Sequence, residues 1–127
     1  MAETRQRVRW LDEPEDKDYA AARSYLSLLI APGDLDGIVG RLRVAALGEW
    51  RAKDVLRAAQ LPLLGPKHSE EVAEKLAKVR DKQALSPILI VVFEPHGHIQ
   101  IADGYHRTCA AFLAHEDTYV PGRILFA

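Results

Sequence analysis

The chain has 127 residues, a formal net charge of −1, 48% apolar residues and 28% charged residues. That length suits one domain with a modest core, and the near-zero charge provides no overall basic field to draw in nucleic acid. Cys109 is the only cysteine, so no disulfide forms within the chain, and no apolar run reaches the length of a membrane span.

Residues 1–18 are polar and charged, with Val8-Arg9-Trp10-Leu11 expected as a short strand or as a tether that buries Trp10. The first segment lacks the apolar core of a signal peptide, and together with the lone thiol this points to a cytoplasmic protein. Pro14 and the surrounding acids read as a helix entry. From Asp16 to Ile30 the apolar spacing (Tyr19, Ala22, Tyr25, Leu26, Leu29) predicts a helix ended by Pro32 and Gly33. A second helix is predicted over Asp34–Leu47, although Gly37 and Gly40 weaken it, and a third over Trp50–Ala59. Ser69 is the expected N-cap of a fourth helix, with Glu70 and Glu71 in its first turn and Val72, Leu76 and Val79 on its apolar face.

Past Pro87, the continuous run from Ile88 to Phe93 reads as a strand buried on both faces. Glu94-Pro95-His96-Gly97 is predicted as a turn, and His98–Ala102 as the returning strand of a hairpin. A helix follows over Tyr105–His115. A last strand spans Thr118–Phe126, where Pro121-Gly122 argues for an edge position or a bulge. The fold class expected is α+β: a small mixed sheet with packed helices and an N-terminal helical layer. It is read as a single domain, residues 1–127, with a helical part over 1–66 and an α+β part over 67–127.

The stretch Ile101-Ala102-Asp103-Gly104-Tyr105-His106-Arg107-Thr108-Cys109 carries the functional signal. His106 and Arg107 fall in the first turn of a helix, where the backbone already presents unpaired N–H groups and partial positive charge. Two basic side chains there are explained by an anion held among them, and phosphate is the usual occupant. On this reading Gly104 makes the turn and lets the backbone approach the ligand. Amides from Tyr105 to Thr108 hold phosphate oxygens, Arg107 donates a two-pronged fork, and His106 adds a donor or moves a proton. Asp103 caps the helix, orients Arg107 or holds a metal carried by a nucleotide. The bland alternative is that His106 and Arg107 are solvated or paired with Asp103.

Asp103-Gly104-Tyr105-His106-Arg107, followed by Ala110-Ala111, resembles the box of the ParB/sulfiredoxin superfamily. The neighbouring elements keep that family's order from about Lys67 to Leu125: a helix, a Pro-led apolar strand, a second strand, the box and its helix, and a strand. The resemblance implies a nucleotide or a phosphorylated small molecule as partner, ATP or CTP with Mg²⁺ as cofactor, and His106, Arg107 and Asp103 as catalytic groups for phosphoryl transfer or nucleotide hydrolysis. It also implies that Lys67 and His68, ahead of the fourth helix, clamp the nucleotide; a solvated loop is the plain alternative. Tyr105 stands where sulfiredoxins have their catalytic cysteine, so sulfiredoxin activity is not expected. His106 replaces an arginine of the partition-protein box, so chromosome partition is not expected either. A DNA-binding or nuclease module and a non-catalytic interaction domain are the competing readings. The latter would be favoured by an exposed Trp10 or Trp50, and self-association stays open.

Other candidates carry weaker patterns. Lys78 faces either the site or solvent, and Glu70, Glu71 and Glu74 are general bases or complements to the helix dipole. Cys109 reads as a small core residue. The clustered histidines, His96 and His98 included, match no familiar zinc spacing, and no structural metal is expected. Arg41, Arg43, Arg51, Lys53 and Arg57 lend a basic character to the second and third helices, with acids interspersed.

Overall fold

The computed structural model describes residues 7–93 and 97–127. In chain order the elements are β1 (Arg9–Trp10), α1 (Asp16–Leu26), α2 (Pro32–Arg43), β2 (Leu47–Arg51), α3 (Ala52–Ala59), α4 (Glu70–Arg80), β3 (Ala84–Leu85), β4 (Ile88–Val92), β5 (Gln100–Asp103), α5 (Tyr105–Ala114) and β6 (Tyr119–Phe126). The fold is α+β, as the pattern of elements predicts.

The main sheet has the order β2-β6-β4-β5 and is mixed: β4 and β6 run parallel, while β2–β6 and β4–β5 are antiparallel. The period-2 geometry of β4 explains its unbroken apolar run. Ile88 and Ile90 face one side, in a core with Ala52, Val55 and Ala59 of α3, Val79 of α4 and Ala111 of α5. Leu89 and Val91 face the other, in a core with Tyr19, Ala22 and Leu26 of α1 and Leu35, Val39 and Leu42 of α2. Helices therefore cover both faces. A separate two-stranded parallel pair, β1–β3, ties the N-terminal segment to the chain just before β4.

Several boundaries move. Pro32 opens α2, at a first-turn position where its missing N–H costs no hydrogen bond, instead of closing α1. The strand β2 replaces the ends of two predicted helices. Its partner, β6, lies about 70 residues further on, and local periodicity carries no trace of so distant a pairing. The 1–66 part is thus not purely helical, since β2 completes the sheet and α3 packs on the face opposite α1 and α2. The short β3 was also absent from the predicted elements. The edge position or bulge expected for the last strand is corrected: β6 lies inside, between β2 and β4, and its ladders with both run without a register shift. Pro121 is tolerated because the ladder with β4 begins one residue later, at Ile88 opposite Gly122. Residues 94–96 of the predicted turn, His96 included, lie outside the described residues.

Two glycines permit the close packing around Ile88. A Cβ on Gly122 would stand 2.6 Å from the Ile88 carbonyl oxygen, and a Cβ on Gly104 would fall on the Ile88 side chain. Gly104 also has φ 114°, a conformation side chains disfavour. By contrast, Gly37 of α2 has open space where a Cβ would project. Gly104→Ala is therefore expected to destabilise the protein by about 3 kcal/mol. Gly37→Ala should stabilise it by about 0.5–1 kcal/mol through helix propensity. Urea unfolding of both variants checks the pair.

Candidate functional site

The chain leaves β5 at Asp103, turns at Gly104 and enters α5 at Tyr105. The β4–β5 register slips between Leu89 and Ile90: Leu89 faces Asp103 while Ile90 faces Ile101, so Ala102 has no partner opposite. Such a bulge re-aims the strand end next to it. Helix α5 is not capped by Asp103, and among the described residues no side chain caps it. Its first carbonyl partner, Gly104, accepts from both the Thr108 amide (3.0 Å) and the Thr108 hydroxyl (2.9 Å). The amides ahead of Thr108 therefore have no acceptor within the helix.

Arg107 does not hold an open fork toward solvent. Its guanidinium is buried, with Nη1 donating to Asp18 Oδ1 (3.0 Å) and to Ser86 Oγ, and Nη2 donating to Asp103 Oδ2 (2.7 Å). The pairing with Asp103 that the sequence leaves open is present, and Asp18 of α1 adds a second carboxylate. The protein's own acids thus resolve the clash between a cation and the positive end of α5. Asp18 is itself fixed, since its Oδ2 accepts from the Glu15 amide at 2.8 Å in the capping box of α1. One guanidinium therefore joins α1, the segment before β4, and the β5–α5 turn.

The two acids are driven apart electrically. Burial raises Asp103 to about 6; the Arg107 charge opposes this, and the nearby Asp18 carboxylate adds to it. For Asp18 burial also pushes upward, but the Glu15 amide and the Arg107 charge outweigh it and hold the acid below the usual value. This is how two carboxylates around one cation divide a proton between them.

Beside this cluster lies a cavity of about 210 Å³. Asp103, Gly104, His106, Arg107 and Ser86 form one part of its lining, Glu15, Lys17 and Asp18 of the α1 region a second, and Glu71, Lys75 and Lys78 of α4 a third. Four cations and four carboxylates face it. Lys17 lies 3.7 Å from Glu15, Lys75 lies 3.1 Å from Glu74, and Lys78 forms no ion pair among the described residues.

Of the sequence candidates, Asp103, Gly104, His106, Arg107, Lys78 and Glu71 meet at this cavity. Tyr105 and Thr108 do not line it: the Tyr105 hydroxyl donates to the Pro62 carbonyl (2.6 Å), and Thr108 is fully buried. Lys67 and His68 are exposed ahead of α4 and do not line it either, nor do Glu70 and Glu74. Cys109 is buried, and burial pushes its thiol up, away from the reactive thiolate. Among the helix cations, Arg43 pairs with Asp16 and Arg57 with Asp54, while Arg51 sits over the Tyr119 ring.

Asp18, Ser86, Lys17 and Lys75 were missed in the sequence. Asp18 had a readable signal: it precedes Ala22 by four residues and Leu26 by eight, on the buried face of α1. Glu71, Lys75 and Lys78 likewise share one face of α4, beside its apolar stripe. Nothing local marks Ser86 or Lys17.

Removing the guanidinium while keeping its bulk leaves two buried acids without their cation. Arg107→Met is expected to cost about 3–5 kcal/mol, read as a lowered urea midpoint at pH 7. The raised Asp103 value has its own signature. The folded state binds the Asp103 proton more tightly than the unfolded chain, so this group's contribution to stability falls as pH rises from about 4 to about 6 and is level above. Asp103→Asn should therefore gain stability relative to wild type across that interval, and paired denaturation curves at pH 4, 5, 6 and 7 measure it. Comparison of the chain with protein-family models, with curated proteins and with solved structures returned no match.

Proposed function

We propose that the cavity at the start of α5 binds the phosphate of a nucleotide or of a phosphorylated small molecule, in a domain resembling the ParB/sulfiredoxin superfamily. One observation carries this reading. Lys17 from α1, Lys75 and Lys78 from α4 and His106 from α5 line a single cavity at a helix start that no side chain caps. Lysines and an imidazole from separate elements converging on a helix start are an arrangement that suits phosphate oxygens. Arg107 is not the ligand's fork, since its guanidinium is already engaged by the protein. Arg107 instead holds Asp103 and Asp18 and so sets the shape of the cavity wall.

The same geometry supports phosphoryl transfer or hydrolysis as the reaction. Asp103 is close to half protonated near pH 6 and faces the cavity, so it accepts or returns a proton without a large energetic cost. The lysines and His106 would stabilise the charge on a transferred group, with Arg107 acting through Asp103. Among the described residues no three acidic, histidine or cysteine groups gather into a metal cage. A Mg²⁺ ion would arrive on the phosphates, as it commonly does, with Asp103 or Glu71 at hand as single carboxylate ligands.

Calorimetric titration with ATP, CTP, ADP and inorganic phosphate, each with Mg²⁺, tests the reading. Saturable binding to the wild type is expected, and Lys75→Ala/Lys78→Ala should weaken it by about tenfold or more while the fold is kept. A wild type that binds none of these at millimolar concentration overturns it.

A further inference from the structure

The cavity is small and has little apolar wall. Its volume of about 210 Å³ falls below the roughly 300 Å³ where pockets for drug-sized ligands begin. Among the described residues, Ala84 and Leu85 are its only apolar side chains, and no Phe, Tyr or Trp ring lines it. The His106 imidazole is already tilted against the Tyr105 ring, with centroids 5.4 Å apart. A purine or pyrimidine has broad π faces that binding sites usually cover with aromatic or apolar groups, and this cavity supplies no such cover.

The charge balance narrows the ligand further. Because four carboxylates accompany the four cations, a triphosphate tail would bring more negative charge than the lining offsets. A single phosphate group suits it better, held by the lysines as point charges. The remaining carboxylates are pure acceptors, and hydroxyl groups are the donors they lack. Glu71 is the most available of them: it lies on α4 one turn before Lys75, and among the described residues its only hydrogen bond is a 3.3 Å contact from the Ser69 hydroxyl.

We infer that the ligand is a compact phosphorylated polyol without a nucleobase, its phosphate on Lys75 and Lys78 and its hydroxyls on Glu71. This rests on the phosphate reading above and narrows it to one chemical class. It also makes Glu71 the residue that tells a phosphorylated polyol from bare phosphate.

The test uses glycerol 3-phosphate as probe, beside inorganic phosphate, ATP and CTP, titrated calorimetrically into the wild type and into Glu71→Gln. Expected is binding of glycerol 3-phosphate at least threefold tighter than inorganic phosphate and no weaker than ATP or CTP. In Glu71→Gln that advantage over inorganic phosphate should shrink to less than about 1.5-fold, while inorganic phosphate binds as well as before or better. Binding of ATP or CTP tenfold or more above glycerol 3-phosphate overturns the inference and leaves the phosphate reading standing. An advantage that survives in Glu71→Gln also overturns it. If the wild type binds none of the four, both readings fall together.

Discussion

A single guanidinium organises this protein. Arg107 is buried between Asp18 and Asp103, with the Ser86 hydroxyl sharing Nη1 with Asp18. A buried charge is tolerated only when its partners match it closely, and here those partners come from three separate stretches of chain. Helix α1 must dock with its first turn aimed at α5, the segment ahead of β4 must pass within reach of both, and β5 must end on an acid. The sheet and the two apolar cores supply most of the burial. The arginine ties the first turn of α1 to the start of α5 at the cavity wall.

This arrangement changes what the box Asp103-Gly104-Tyr105-His106-Arg107 accomplishes. The glycine supplies a left-handed turn tight against Ile88. The aspartate and arginine, four residues apart, form a pair across the first turn of the helix. The histidine remains at the cavity, and the tyrosine turns away to anchor the loop at Pro62. Part of the box is thus architecture, and three of the cations that line the cavity are lysines on other helices. The placement of Lys75 and Lys78 on one face of α4, beside its buried stripe, is what brings them to the rim.

Much of the fold was legible in the residues. The fourth helix with its Ser69 cap, the apolar strand after Pro87, the glycine turn and the helix behind it all follow from local chemistry, and each is where periodicity and capping place it. The strand β2 was not legible, because Leu47-Gly48-Glu49-Trp50-Arg51 becomes a strand only through β6, its distant partner. The position of β6 was misread for a related reason: a proline argues for an edge unless one knows where each neighbouring ladder begins. At the cavity, the sequence singled out the turn and the helix that line it. It did not show which acids would claim Arg107, since Asp18 lies 89 residues away in the chain. Its spacing from Ala22 and Leu26 marked it as inward-facing, but inward burial alone names no partner.

The position of β6 has a bearing on assembly of the molecule. It is the strand that joins β2 to β4, yet it follows both of them in the chain. Until it inserts, two strand edges face an empty slot, and the apolar side chains of β4 lack half of their lateral support. Such a nascent chain exposes backbone donors and acceptors that another polypeptide could pair with. The last strand therefore acts as a closing wedge, and the interval before it seats is when this protein is most exposed to mispairing with its neighbours.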